Sequence, residues 1–291
     1  MNKYFFLVFL LLCNVSLFSQ SNLLDMIDDD TDEASIEVSS TFKSYKLVNF
    51  ETPKLVPKNH LNFIVAHRFG SVKNGIEDLF GLDIASTRLQ FVYGLSDKIN
   101  LSFSRSKFRR TYDFGAKYHI INQKKNGFPF TIAGHHLLGI DTSLDENLLP
   151  GIKFANRLRS THQLIMASKI NDKLSVEFVP TILHDGLVEL EEQDNLQYAL
   201  GFGGRYLFTK RMGIVVDYGL HLNRASTSPY KNVFSIGYEI ETGGHVFQLH
   251  FSNAQGMYEN AFITQAAGDW SKRDFFFGFN INRIFNLKSK K

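Results

Sequence analysis

The sequence predicts an all-β protein, an antiparallel up-and-down transmembrane β-barrel of about 12 strands. Three observations support this prediction. Apolar residues alternate with polar or small residues along segments of ~9–11 residues, the length with which a tilted strand crosses a bilayer. Short polar turns alternate with long loops, as they do in outer-membrane barrels. Aromatic residues recur toward the segment ends, where an interfacial girdle would place them.

Residues 1–20 are predicted to be a signal peptide. Lys3 precedes an apolar run from Phe5 to Cys13, and a small residue follows at Ser19. Secretory signals have this basic, apolar, small order, and the run is shorter than the ~20 residues of a spanning helix. Cys13 is the only cysteine, which raises a lipoprotein as the alternative, but no small residue directly precedes it. We therefore expect an ordinary cleaved signal and an exported protein.

Residues 21–58 are predicted to form an acidic, mostly disordered periplasmic tail. This segment carries eight acidic residues against four lysines, a net charge of −4, and such a balance favours disorder. A tether for a cation or a partner is the alternative interpretation. The rest of the chain after residue 58 has 27 basic and 21 acidic residues, a net charge of +6. Its basic residues are scattered and form no run, which argues against nucleic-acid binding.

Residues 59–291 are assigned to the barrel, and its clearest unit is the segment from Arg88 to Phe103. Apolar residues occupy every second position there, on both sides of a polar break at residues 96–98. Because the side chains of a strand alternate between its faces, this segment is predicted to be a hairpin of two half-apolar strands. The same pattern recurs as far as Ile281. Long loops are predicted near 70–86, 142–158, 185–195, 223–232 and 253–272.

The two strand faces are predicted to meet different surroundings. Phe91, Phe103, Phe202 and Phe277 lie on the apolar face, which should contact lipid. The opposite face combines ionisable residues with glycines that would leave free volume inside the barrel: Gly115, Gly201, Gly203 and Gly219. The candidate lumen-lining residues are Arg68, Arg88, Asp113, Lys117, His119, Glu177, Arg205, Asp217, His221, Glu239 and Asp274.

Five short motifs follow one another in an order that resembles a known family. They are Leu61-Asn62-Phe63, His67-Arg68-Phe69-Gly70, Phe80-Gly81-Leu82-Asp83, Tyr93-Gly94-Leu95 and Thr111-Tyr112-Asp113. The sequence from Thr41 to Phe285 resembles bacterial outer-membrane barrels, mostly from Bacteroidota, that carry only a domain-of-unknown-function label. The resemblance is most specific between His67 and Asp113. It implies a β-barrel in the outer membrane and supplies no catalytic residue, cofactor or substrate.

The predicted function is a narrow porin-like channel for small polar solutes in the outer membrane. Charges of both signs on the lumen face favour a mostly occupied lumen, and a conductive, weakly selective pore is the alternative. A closed structural or binding barrel that presents its outer loops to a partner is the second hypothesis. Outer-membrane lipid and the barrel-assembly machinery are the expected partners, and the oligomeric state is left open.

Enzymatic activity and metal binding are not predicted. The sequence has no Gly-x-Ser-x-Gly elbow around a nucleophile. His119, His135, His221 and His250 fall on the lumen face, but they belong to different strands and lack the spacing of metal ligands. We expect no cofactor.

Overall fold

The computed structural model describes residues 37–38 and 40–287, and its main element is a closed barrel of twelve antiparallel strands. Each strand pairs with its neighbours in sequence, and β1 pairs with β12 to close the sheet, which confirms the predicted fold class. The predicted signal peptide and residues 21–36 lie outside the described residues. The strands are β1 (His60–Ser71), β2 (Ala85–Ser96), β3 (Ile99–Ser106), β4 (Tyr112–Ile121), β5 (Thr131–Ile140), β6 (Leu158–Lys169), β7 (Leu174–Asp185), β8 (Leu196–Leu207), β9 (Met212–His221), β10 (Val233–Thr242), β11 (His245–Ser252) and β12 (Phe276–Asn286).

The connections are short at one end of the barrel and mostly long at the other. Three of the long connections contain 3₁₀ segments, at Val72–Gly81, Phe154–Arg157 and Trp270–Lys272, and the brief link between β3 and β4 at the same end contains another, Phe108–Arg110. One α-helix, α1 (Glu259–Thr264), lies between β11 and β12. Within the described part of the chain, no helix has the length and apolar content needed to cross a membrane.

The alternation seen in the sequence separates an apolar exterior from a polar interior. In the β2–β3 hairpin, Phe91 lies opposite Phe103, and both rings are exposed on the outer surface. Their neighbours Gln90 and Ser104 also lie opposite each other and are buried inside. Phe202 on β8 is exposed in the same way. An apolar outer surface around a polar interior is typical of transmembrane barrels.

The interior contains two segments of the chain besides the wall. Residues 41–56, here called the N-terminal plug, lie inside the barrel, and most of their side chains are buried. Lys58 follows this plug and donates its backbone N–H to Asp97 in the short turn between β2 and β3, so the plug enters from the short-turn end. Residues 253–266, here called the loop plug, fold inward from the long connection between β11 and β12 and contain α1.

The prediction of one disordered tail over residues 21–58 is wrong for residues 41–56. The net charge was counted over an acidic stretch and a more apolar one together, because six of the eight acidic residues precede residue 37. The plug itself contains Phe42, Tyr45, Leu47, Val48 and Phe50, all of them buried. Burial of these apolar side chains offsets the entropy of ordering the segment. The long loop 253–272 likewise turns mainly inward, whereas the sequence suggested a loop displayed outside.

The outer position of Phe91 leads to a test of membrane exposure. Phe91 is the seventh of twelve residues in β2 and its ring stacks on Phe63. Replacing Phe91 by Arg should cost ~2–4 kcal/mol of unfolding free energy, because an arginine near the bilayer midplane must leave water. Urea unfolding in lipid vesicles, followed by the fluorescence of Trp270, measures this cost. Phe91→Leu is the matched control, and equal stability of the two variants would contradict a lipid-facing position.

The asymmetry of the connections leads to a test of orientation. Short turns of outer-membrane barrels lie in the periplasm and long loops lie outside. A cysteine at Asn147, in the long connection after β5, should therefore react with a membrane-impermeant maleimide on whole cells. A cysteine at Lys173, in the short turn between β6 and β7, should react only after the cells are lysed. The reverse pattern would show that the barrel has the opposite orientation.

Candidate functional site: a lumen closed by two plugs

The N-terminal plug forms a small hairpin inside the barrel. Lys46 and Glu51 pair as an isolated antiparallel bridge. Backbone hydrogen bonds run from Leu47 N to Phe50 O at 2.9 Å and from Thr52 N to Tyr45 O at 3.0 Å. The hairpin satisfies part of its own buried backbone, so its turn at Val48 and Asn49 can approach the wall without leaving those groups unpaired.

Two predicted lumen residues hold the turn of this hairpin. Asp217 on β9 accepts hydrogen bonds from the backbone N–H of Asn49 at 2.6 Å and from that of Phe50 at 3.3 Å. The Asn49 side chain also donates to Asp217, at 3.2 Å, and accepts from Arg68 Nη2, at 3.0 Å. A buried carboxylate is tolerated when several donors surround it. The plug therefore supplies the donors that let Asp217 stay buried.

Glycines of the wall create the recess that receives the apolar side chains of the plug. A Cβ atom at Gly201 would lie 2.5 Å from the Phe50 ring, and one at Gly219 would lie 3.1 Å from it. A Cβ atom at Gly203 would overlap the side chain of Leu47. The sequence correctly identified a lack of wall side chains here, but the expected free volume is filled by the plug.

A buried group of four charges connects the wall to both plugs. Lys46 Nζ lies 2.8 Å from Glu51 Oε1, and Lys117 Nζ of β4 lies 2.7 Å from Glu51 Oε2. Lys46 Nζ also lies 3.3 Å from Glu259 Oε1 in α1. Two ammonium groups thus face two carboxylates, and the group as a whole is neutral. Buried charges persist when they are paired in this way, whereas removal of one partner is strongly destabilising.

The same carboxylates give the best geometric candidate for a metal site among the described residues. One ligand atom each from Glu51, His135 and Glu259 lie within 4.8 Å of one another. However, both carboxylates already face the ammonium groups of Lys46 and Lys117. A cation placed there would meet two positive charges in a buried site. The donor set therefore fits an ion-pair cluster better than a metal centre.

The loop plug contacts both the N-terminal plug and the wall. The rings of Phe262 and Phe50 meet edge to face, with centroids 4.9 Å apart. Arg88 of β2 donates to the backbone oxygen of Met257 at 2.9 Å. Thr111 donates its hydroxyl to Tyr258 Oη at 3.0 Å. The two plugs consequently form one continuous packing unit that occupies the lumen.

The structure buries nine of the eleven predicted lumen residues inside the barrel: Arg68, Arg88, Asp113, Lys117, Glu177, Arg205, Asp217, His221 and Glu239. It brings together Arg88 with Asp113, and Arg205 with Glu239 at 3.4 Å. His119 is only partly buried near the short-turn end of β4. Asp274 precedes β12 and accepts a hydrogen bond from Ser71 at 2.6 Å, so it lies outside the strands.

Sequence analysis missed the plug residues that complete these contacts. Lys46, Asn49, Phe50, Glu51 and Glu259 are all buried. A signal for the N-terminal plug was present, because aromatic and aliphatic residues are concentrated between Phe42 and Phe50. The segment has no long alternating pattern, so the strand criterion did not identify it.

The long connections at the other end are also tied to one another. The hydroxyl of Tyr230 donates to Glu189 Oε2 at 2.6 Å, and Arg109 pairs with the same carboxylate. Burial, together with this hydrogen bond to Glu189, raises the pKa of Tyr230 to about 12. Tyr230 therefore stays protonated and keeps donating to Glu189 at physiological pH.

Comparison with solved structures finds outer-membrane barrels. The KdgM porin shares 11% identity with this chain at a TM-score of 0.47, covering 78% of this chain and 99% of its own. The NanC porin shares 12% identity at a TM-score of 0.45, covering 79% and 100%. The COG4313 outer membrane channel from Pseudomonas putida F1 shares 14% identity at a TM-score of 0.43, covering 80% and 97%. Comparison with curated proteins finds no match.

Comparison with protein families finds a match over most of the chain. The family is described as a membrane bound beta barrel domain, DUF5777, and its model matches residues 42–285. The matched range starts at the first buried aromatic residue of the N-terminal plug, so it includes that plug as well as the barrel wall. The chain belongs to this family of membrane-bound β-barrel domains.

Proposed function

We propose that the protein is an outer-membrane barrel that provides a narrow, gated passage for small polar solutes, and that the described state is the closed one. The observation that carries this proposal is the polar character of the lumen wall where it meets the N-terminal plug. A permanent core would be expected to present mainly apolar side chains to an inner segment. Here polar side chains of the wall bind the plug, and water could replace it at these groups.

The polar contacts between wall and plug are directed largely at backbone oxygens. Gln248 donates to Lys46 O at 3.1 Å, and Asn280 donates to Val48 O at 3.0 Å. Thr41 O accepts from Arg205, at 3.2 Å, and also from Ser175. Water can satisfy each of these donors and acceptors once they separate, and the wall would then be a hydrated polar surface. The plug can therefore leave without exposing a large apolar wall.

The size of the barrel supports passage of small solutes only. Barrels of about eight strands are filled by their own side chains, whereas those of 16–18 strands leave an aqueous channel. A barrel of twelve strands lies between these limits. Without the plugs, its lumen would carry positive charge at Arg68, Lys117 and Arg205 and negative charge at Asp217 and Glu239. Mixed charge favours weak ion selectivity.

A closed barrel that presents its outer loops to a partner is the second candidate function. The contact between the two plugs favours it, because Lys46 reaches Glu259 and Phe50 packs on Phe262. In that case, the lumen serves only as a core and the surface formed by the long connections is functional.

Conductance of the purified protein in a planar bilayer distinguishes the two functions. Because a Cβ atom at Gly203 would overlap the Cδ1 atom of Leu47, we choose cysteines at these two positions as the pair to be joined by a disulfide. We expect the oxidised Leu47→Cys/Gly203→Cys variant to stay silent and the reduced variant to open. Loss of both plugs, by deletion of residues 41–56 and replacement of 256–266 with a Gly-Ser linker, should give steady conductance.

The two single-cysteine variants are the controls, and reduction should not change their conductance. Heat-modifiable gel migration of each variant establishes that the barrel has folded. A folded barrel without either plug that stays silent would refute the channel and favour the closed barrel. Recovery of the native chain in a soluble periplasmic fraction would refute the outer-membrane location.

A further inference from the structure

The outer surface of the barrel contains a recess that the channel function does not use. It lies across β4 to β8 and has a volume of about 500 Å³. Its lining is mainly apolar and includes Leu164, Ile182 and Leu200, but it also contains two histidines, His136 and His162. Both histidines belong to the outward faces of their strands, β5 and β6. A volume of ~300–1,000 Å³ is typical of small-molecule sites.

Three polar side chains in the recess form a hydrogen-bonded row. The hydroxyl of Tyr118 lies 3.2 Å from His136 Nε2. His136 Nδ1 lies 2.7 Å from His162 Nδ1. Each contact uses a different nitrogen of His136, so this ring is satisfied at both ends. The row ends at His162.

The end of the row leaves one polar atom without a partner. If Tyr118 donates to His136, then His136 donates to His162, and His162 must carry its proton on Nε2. If the row runs in the opposite direction, His162 Nε2 is an acceptor. In either case, no group in residues 37–38 and 40–287 forms a hydrogen bond with His162 Nε2. An unpaired polar atom is costly where water is excluded, so this atom requires a partner from outside the described part of the chain.

Two residues shape the recess. Gly134 has no side chain, and the Tyr118 ring lies where its Cβ would be. Pro180 on β7 has no backbone N–H, and the β6–β7 ladder keeps its register but lacks pairs between Gln163↔Thr181 and Met166↔Phe178. A proline inside a strand removes a ladder hydrogen bond. The wall is therefore both indented and locally less hydrogen-bonded at this place.

More polar groups continue from the recess toward the long-loop end of the barrel. Ser160 and His184 lie directly opposite each other on β6 and β7, and both are on the outward face. They extend the row formed by His136 and His162 into a track of polar groups on a mainly apolar exterior. Polar groups facing lipid are rare, and they mark functional sites when they occur.

We propose that this recess binds one hydroxylated acyl chain of an outer-leaflet lipid, with the lipid hydroxyl at His162 Nε2. A lipid is the occupant because the recess opens on the face of the barrel that contacts the bilayer. A hydroxyl is the matching group because it both donates and accepts, so it satisfies His162 in either orientation of the row.

The depth of His162 in the bilayer favours a hydroxyl on the acyl chain of the lipid over one on its headgroup. His136 and His162 are each the fifth residue from the long-loop end of their strands. Four residue steps correspond to ~13 Å along a strand, or ~9 Å of depth at a tilt of ~45°, which places the histidines below the level of the headgroups. Lipid headgroups stay at the surface, where Ser160 and His184 can contact them.

The test measures lipid retention by native mass spectrometry on the full-length protein. The two probes are phosphatidylethanolamines that differ only in carrying 3-hydroxytetradecanoyl or tetradecanoyl chains. The native protein should prefer the hydroxylated lipid by about tenfold, the effect of one hydrogen bond formed away from water. His162→Phe should abolish the preference because it keeps a ring and removes the nitrogens. His245→Phe, at a histidine on the distant strand β11, should retain it.

Three results would overturn the proposal. The first is equal retention of the two lipids by the native protein, a measurement that does not depend on the folding of any variant. The second is a preference that survives His162→Phe in a protein with normal heat-modifiable migration. The third is a preference lost on addition of EDTA, since a bridging metal would then be responsible. The conductance of the reduced Leu47→Cys/Gly203→Cys variant should not change with His162→Phe, so the site and the channel are tested independently.

Discussion

A closed sheet of twelve strands encloses more space than its own inward side chains fill, and this space must hold either water or protein. In this structure it holds residues 41–56 and 253–266. The sequence of the wall is matched to the plug, since the wall has glycines where the side chains of Phe50 and Leu47 pack against it. A plug made of polypeptide has a second requirement, because every backbone N–H and C=O group brought inside needs a hydrogen-bond partner. The hairpin bonds of residues 45–52 and the donors on the wall meet that requirement.

The pairing of the buried charges also depends on what fills the barrel. Lys117 and Glu51 come from the wall and the N-terminal plug, and Glu259 comes from the loop plug. Without the plugs, Lys117 would lie in a polar lumen and could be hydrated. With both plugs present, water is excluded and the charges must pair with one another. The ion pairs therefore give the closed arrangement specificity, although their net contribution to its stability is small because desolvation opposes the attraction.

The barrel wall was predictable because its signal is long and local. Alternation repeated over each strand identifies the inward face without knowledge of any partner, and Arg88, Asp113, Arg205 and Glu239 on that face are buried in the structure. The plugs depend on contacts that are distant in sequence. Asn49 reaches Asp217, and Lys46 reaches Glu259. A turn of this kind needs only a few apolar residues and no period. A charge average over residues 21–58 obscured even that signal.

Lipid-facing polar residues depart from the apolar pattern of most outward positions. At most outward positions of the strands, a polar side chain would lose its water and gain nothing, and the sequence places Phe, Leu and Ile there. His136 and His162 occupy outward positions in mid-strand, next to a glycine and a proline that weaken the local wall. The rings of Tyr118, His136 and His162 contact one another, but the strand ladder gains nothing from this set of residues. Departures from a rule that is otherwise obeyed are expected at functional sites. The histidine row therefore makes the outer wall a site of recognition, separate from the closed lumen.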